Sequence, residues 1–136
     1  MALALSRDKA LTRRAYGPAH AHAVVEALLA LEDWEQLEAF LPQARSALDG
    51  DALLGPLADR AEGLVAMVRG EHGVASRRLR NSVRGFRRFR VPWEEARSLD
   101  TLSDVLDGSE AAAARSAASA LYEQVGAVRP AAVGAT

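Results

Sequence analysis

The sequence predicts an all-α chain in which short helices pack as antiparallel pairs. Three observations favour this fold class. Apolar residues recur with a helical period in most windows, runs of alternating β-branched residues are missing, and turn signals recur at short intervals. Hydrophobic residues make up 49% of the 136 positions, which is enough for the core of one ordinary domain or one short repeat array.

Turn signals divide the chain into seven predicted helices. Glycine and proline mark turns at 16–18, 48–56, 69–73 and 106–109, while Asp33 suits an N-cap and Pro92 a first helical position. Because the connections are short, successive helices should be antiparallel neighbours. The predicted helices cover 3–15, 19–31, 34–48, 53–69, 73–90, 93–107 and 109–125, and residues 128–136 form a flexible tail.

The turns at Glu32, Gly70 and Gly108 are 38 residues apart, which predicts three repeated helix pairs. Units of one length indicate a stacked array, with pairs at 18–50, 51–91 and 92–127 and residues 1–17 as a preceding helix, half repeat or cap. The same shift aligns small or apolar core positions: Leu37 with Ala75 and Ala113, Leu41 with Leu79 and Ala117, Ala44 with Ser82 and Ala120, and Val25 with Gly63 and Thr101.

Three segments resemble tetratricopeptide repeats. In "RAEGLVAMVRGEHGVASRRLRNSV" the resemblance rests on Gly63 within the first helix, Gly70 at the turn, and Ala75 and Ser82 beyond it. "ALEDWEQLEAFLPQAR" resembles a second repeat. "PWEEARSLDTLSDVLDGSEAAAARSAASALYEQVGA" is similar to the last repeat in the effector region of bacterial LuxR-type (MalT-like) ATP-dependent transcription regulators and multidomain adenylate cyclases.

The resemblance implies a right-handed superhelical stack that serves as a non-enzymatic protein–protein interaction scaffold. We therefore expect part of, or a relative of, a bacterial signalling or transcription regulator that binds a protein or peptide segment. Tetratricopeptide arrays line a concave groove with the first helix of each pair. By repeat alignment that groove would present His22, Glu26, Arg60, Leu64, Met67, Glu95, Ser98 and Leu102.

The stretch "RRLRNSVRGFRRFR" at 77–90 predicts an amphipathic helix with a basic side. When residues 75–90 are drawn as a helix, one face consists of Ala75, Leu79, Ser82, Val83, Phe86 and Phe89. The opposite side, here named the basic face, consists of Arg77, Arg80, Arg84, Arg87 and Arg88.

A solvated surface is the first interpretation of the basic face, and three alternatives stay open. It could dock an acidic partner, or bind nucleic acid nonspecifically through phosphates. It could also drive self-assembly into a homo-oligomer, since residues 26–62 carry a net charge of −7 and residues 69–90 one of +7.

No pattern in the sequence points to catalysis, a cofactor or a metal. The chain has no cysteine, which excludes disulfides and thiolate metal ligands. His20 and His22 would point about 200° apart on a helix, which is wrong for one metal ion. Phosphate-binding, dinucleotide-binding and nucleophile-elbow motifs are missing. We expect a non-enzyme without cofactors, located in the cytoplasm because the N-terminus has no long apolar run.

Overall fold

A computed structural model describes residues 17–47 and 51–130, and in these residues the chain forms six α-helices and no strands. The all-α prediction is therefore confirmed, and the observed helices lie close to six of the seven predicted ones. The first predicted helix, 3–15, lies outside the described residues. The helices are α1 Gly17–Ala30, α2 Trp34–Ser46, α3 Leu54–Val68, α4 His72–Arg88, α5 Pro92–Val105 and α6 Gly108–Gln124.

Local signals in the sequence account for several helix starts. The side chain of Asp33 accepts a hydrogen bond from the backbone N–H of Gln36 at 3.2 Å, which confirms the predicted N-cap of α2. Pro92 is the first residue of α5, where a missing N–H costs nothing. Helix α3 begins at Leu54, one residue from the predicted start at 53, and Pro56 lies in its first turn.

Four helices end in the same closing turn. In each, the second residue beyond the helix has a positive φ. The backbone N–H of the residue after it donates a hydrogen bond to the carbonyl of the residue five positions before that donor. This is the Schellman motif, which satisfies free carbonyls while reversing the chain. The residues with positive φ are Glu32 (53°), Gly70 (77°), Arg90 (58°) and Gly126 (66°), which follow α1, α3, α4 and α6.

The end of α5 is different, and it shifts the register of α6. Leu106 and Asp107 are extended, and the positive φ of Gly108 belongs to the start of α6. The predicted 38-residue alignment is therefore wrong in this helix. Ala113, Ala117 and Ala120 are exposed, whereas the buried residues are Ala114, Ala118 and Tyr122.

The helices pack in chain order, each against the next. In addition, α1 contacts α3 and α3 contacts α5, so the first helices of successive pairs are also neighbours. Two clusters of buried apolar residues fill the described part of the chain. One joins α1, α2 and α3, and the other joins α5 and α6. Helix α4 contributes to both clusters, since Phe86 belongs to the first and Leu79 and Val83 belong to the second.

Two glycines allow α3 and α4 to approach closely. A Cβ atom on Gly63 would lie 2.7 Å from Cγ of Leu79, and one on Gly85 would lie 2.7 Å from Cβ of Pro56. Both distances are too short for a carbon–carbon contact. Both glycines therefore serve close packing of α3 against α4.

We expect Gly85→Ala to destabilise the protein by about 1–2 kcal/mol. Alanine in a helix normally stabilises by up to about 1 kcal/mol relative to glycine, but the added methyl group would meet the rigid ring of Pro56, and overpacking costs about 1–3 kcal/mol. Urea denaturation followed by circular dichroism measures the change. Gly73→Ala, in the same helix with open space around it, is the matched control and should be neutral or stabilising. Equal effects of both substitutions would contradict the packing argument.

Candidate functional site

One concave feature of the described residues is a polar cleft of about 270 Å³. It lies between α3, α5, α6 and the short segment that follows α6. Its walls come from distant parts of the chain, so it exists only when the helix pairs are stacked. The polar cleft is lined by Arg60, Leu64, Arg97, Asp100, Thr101, Ser103, Asp104, Arg115, Tyr122, Arg129 and Pro130.

A buried ion pair forms the base of the polar cleft. The side chain of Arg60 on α3 is only 3% exposed, and its Nη2 lies 2.6 Å from Oε2 of Glu94 on α5. The guanidinium also lies over the ring of Phe86 on α4, 5.4 Å from its centroid. Burial lowers the pKa of Arg60, and the neighbouring Glu94 carboxylate opposes that shift. These contacts tie three helices together at one buried charge.

Further ion pairs hold the wall formed by α5 and α6. Arg97 lies 3.5 Å from the carboxylate of Glu94, so one carboxylate serves two guanidinium groups. Arg115 of α6 lies 3.8 Å from Asp104 of α5. Burial raises the pKa of Asp104, while Arg115 acts in the opposite direction. Each of these charges therefore has a partner within the chain.

Tyr122 brings a buried hydroxyl to the polar cleft. The residue is 3% exposed, and its ring packs edge-to-face on Trp93 with the centroids 5.3 Å apart. Its hydroxyl oxygen is buried and makes no hydrogen bond of good geometry to the described residues, although it faces the Asp100 carboxylate. Burial, assisted by the Asp100 carboxylate, raises the pKa of Tyr122 to about 12, so the hydroxyl stays protonated at neutral pH. An unsatisfied buried hydroxyl is costly and calls for an explanation.

Arg129, from the segment after α6, closes one side of the polar cleft. Its Nε lies 2.8 Å from Oδ2 of Asp100. Its Nη2 donates to the backbone carbonyl of Arg115 at 3.0 Å and to Oγ of Ser119 at 2.6 Å. The guanidinium carbon lies 5.6 Å from the centroid of the Tyr122 ring. A residue predicted to belong to a flexible tail is thus held by four kinds of contact.

The structure does not bring the eight predicted groove residues onto one exposed surface. Arg60 and Leu64 line the polar cleft. Glu95, Ser98 and Leu102 are buried, and Ser98 shares a 2.8 Å hydrogen bond with Ser82 inside the α4–α5 contact. These three side chains are therefore not on the surface in this arrangement, and the repeat alignment did not give the rotation of α5 that buries them.

The remaining groove residues lie elsewhere on the first helices. His22 and Glu26 form a pair on α1 with 3.6 Å between Nε2 and Oε1, and His22 also contacts Asp51 at 3.1 Å. Met67 is partly buried near the end of α3. Partner binding by any of these residues stays a prediction.

The sequence reasoning missed most of the charged residues of the polar cleft. Arg97, Asp100 and Asp104 recur at helical spacing on α5, a pattern that could have marked a charged face. No comparable signal existed for Arg129, since its partner Asp100 lies on another element.

All five arginines of the basic face are exposed, as the helical pattern predicted. Two of them have acidic partners: Arg80 lies 3.1 Å from Glu110 and Arg87 lies 2.9 Å from Glu95. One placement on the apolar side was wrong. Phe89 is 43% exposed, because α4 ends at Arg88 and Phe89 belongs to the closing turn.

Much of the uneven charge along the sequence is paired inside the fold. Arg45 of α2 and Arg78 of α4 both contact Asp59 and Glu62 of α3, at distances from 2.6 to 3.6 Å. Arg69 pairs with Glu38 in the same region. Acidic and basic segments therefore stabilise the contact between neighbouring helices of one chain.

Residues 17–47 and 51–130 contain no group of three or more histidine or carboxylate side chains placed to hold a metal ion. None of the helices in these ranges has the length and apolar character needed to span a membrane. No protein-family model, curated protein or solved structure matches the chain.

We expect Glu94→Ala to destabilise the protein by about 3–5 kcal/mol, because it would leave the buried Arg60 guanidinium without its carboxylate. The double variant Arg60→Met/Glu94→Gln removes the charge with similar volume and should recover most of that loss. Glu38→Ala, which breaks an exposed pair with Arg69, is the control and should cost less than about 1 kcal/mol. Denaturant unfolding measures all three. A double variant as unstable as Glu94→Ala would show that the ion pair is not the source of the effect.

Proposed function

We propose that the chain is a non-enzymatic docking module whose polar cleft binds a segment of a partner protein. The observation that carries this proposal is the cleft itself. It combines a buried charged base, a buried tyrosine hydroxyl and a lining drawn from the first helices α3 and α5 and from α6. Its volume of about 270 Å³ is below the roughly 300–1,000 Å³ of small-molecule pockets, and suits one or two side chains of a longer segment.

We propose further that the module is a tetratricopeptide-like array. Support comes from the contacts of α1 with α3 and of α3 with α5, from the close crossing at Gly63, and from the matching turns at Glu32 and Gly70. With the sequence resemblance described above, this favours an origin in a bacterial signalling or transcription regulator that acts in the cytoplasm. The internal pairing of Glu38, Asp59 and Glu62 disfavours self-assembly through the acidic segment.

Selection of random peptides displayed on phage against the folded chain tests the docking proposal. We expect peptides with micromolar affinity whose binding is reduced at least about tenfold by Thr101→Phe, because a bulky ring at Thr101 would fill the cleft. Ala117→Phe introduces the same ring on the exposed side of α6, away from the cleft lining, and should leave binding unchanged.

Two results would contradict the proposal. One is that selection yields no binding peptide. The other is that every selected peptide binds wild type and Thr101→Phe equally, which would place the binding surface outside the cleft. Melting temperatures of both phenylalanine variants show whether a loss of binding reflects a loss of fold.

Nonspecific nucleic-acid binding through the basic face is a second candidate function. The observation that favours it is that Arg77, Arg84 and Arg88 are exposed and have no acidic partner among the described residues. They lie along one side of α4 over a length of roughly 16 Å, given the 1.5 Å rise per residue of a helix. Such a row can contact successive phosphates of one strand.

Fluorescence anisotropy with a labelled mixed-sequence DNA duplex, at about 50 and 200 mM salt, decides between the two candidates. If the basic face is only solvated, DNA should not bind at either salt concentration, and Arg84→Glu should change stability by less than about 0.5 kcal/mol. Micromolar binding that is lost at the higher salt and in the variant Arg77→Glu/Arg84→Glu/Arg88→Glu would make nucleic-acid binding the function instead.

A further inference from the structure

We infer that the polar cleft recognises an arginine side chain of the partner segment, and that Arg129 occupies this arginine site in the free protein. The inference rests on the proposed docking function and states its ligand chemistry and its regulation. The segment 127–130, "AVRP", then acts as a tethered pseudo-ligand that a partner must displace.

The groups that contact Arg129 complement a guanidinium group. The Asp100 carboxylate forms an ion pair with its Nε at 2.8 Å, and a backbone carbonyl (Arg115) and a hydroxyl (Ser119) accept hydrogen bonds from its Nη2 at 3.0 and 2.6 Å. The ring of Tyr122 supplies an aromatic face for the cation. The three oxygen-bearing groups can each accept a hydrogen bond from a guanidinium group, which is planar and has five N–H donors. They form a site for arginine rather than for an anion.

The charge balance of the cleft supports the same conclusion. Arg60 and Arg97 share Glu94, and Arg115 pairs with Asp104. Among the described residues, the ion pair of Asp100 is with Arg129. When Arg129 leaves, the partly buried Asp100 carboxylate loses its cation, while the other charges keep theirs. The vacated site therefore attracts a cation, even though arginines dominate the lining.

The segment that carries Arg129 can be displaced at low cost. It leaves α6 through the turn at Gly126 and is not helical. Val128 is 88% exposed, so beside the arginine contacts only Ala127 packs on the core. With Arg129 in place the Tyr122 hydroxyl makes no hydrogen bond of good geometry, and Asp100 is the carboxylate it faces. A partner segment that brings its own arginine and one further polar group would satisfy this hydroxyl and so bind better than the tethered occupant.

A peptide titration tests the inference directly. Trp34→Phe leaves Trp93 as the only tryptophan of the sequence. Trp93 packs on the Tyr122 ring, and that ring contacts the guanidinium group in the arginine site, so Trp93 fluorescence reports on which arginine occupies the site. The probe is the acetylated and amidated peptide Ala-Val-Arg-Pro, and its matched control carries the neutral isostere citrulline instead of arginine. Both are titrated into the Trp34→Phe protein with and without Arg129→Ala.

We expect the arginine peptide to bind the Arg129→Ala protein at least about tenfold more tightly than the protein that retains Arg129, because a tethered competitor acts at millimolar effective concentration. The citrulline peptide should bind at least about tenfold more weakly than the arginine peptide, as expected from the loss of a charge-assisted contact. Adding Asp100→Asn to Arg129→Ala should abolish the preference for arginine. Arg88→Ala, which removes an exposed arginine from the basic face, is the matched control and should leave peptide affinity unchanged.

Equal affinity with and without Arg129, or equal affinity for the two peptides, would overturn the inference. A third result would also overturn it: the arginine peptide binds no variant, while phage-selected peptides still bind and lose affinity with Thr101→Phe. That result would leave the docking proposal standing. If neither class of peptide binds, both proposals are wrong. Melting temperatures within a few degrees of the parent protein show that the variants are folded.

Discussion

The close approach of α3 and α4 is the constraint on which the rest of the structure depends. Gly63 and Gly85 have no Cβ, so Leu79 and Pro56 occupy the space that a side chain would need. This approach directs Phe86 into the first hydrophobic cluster and leaves Leu79 and Val83 for the second. Helix α4 is therefore shared by both clusters, and the helix pairs cannot unfold independently without exposing one of its two apolar sides.

The same helix contact determines where the buried charge lies. Phe86 follows Gly85 directly, and its ring carries the guanidinium of Arg60, which in turn reaches Glu94 on α5. Such a pair adds little stability relative to apolar packing, but it fixes geometry, because few arrangements of three helices can satisfy a desolvated guanidinium. Packing between α3 and α4 thus positions Arg60 at the base of the cleft. Because Arg60 also contacts Phe86 in the first hydrophobic cluster, this one arginine connects the cleft to the core.

Local signals predicted most of the fold, because helix ends are decided by residues close in sequence. Asp33 caps α2 and Pro92 begins α5 as their chemistry requires. The alignment failed at α6 because two extended residues replace the closing turn before Gly108, and no residue-type signal distinguishes these endings.

The site was harder to predict. Burial of Glu95 and Ser98 depends on the rotation of α5, which tertiary packing sets, and the partner of Arg129 lies 29 residues earlier, at Asp100.

The charges of the polar cleft fall into two classes with different consequences. Arg60 and Glu94 are desolvated and hold helices together, so removing either one alone leaves the other as an unpaired buried charge. Arg129 and Asp100 are partly exposed, at 38% and 23%, and join a short non-helical segment to the rigid wall of α5, so their pair is weaker and can be exchanged. A docking site needs this division. The rigid acceptors are already oriented, which lowers the entropic cost of binding, and the tethered cation keeps them from standing unpaired. In the proposed docking function, the rigid acceptors on α5 and α6 would recognise the partner segment, and the segment that carries Arg129 would be displaced.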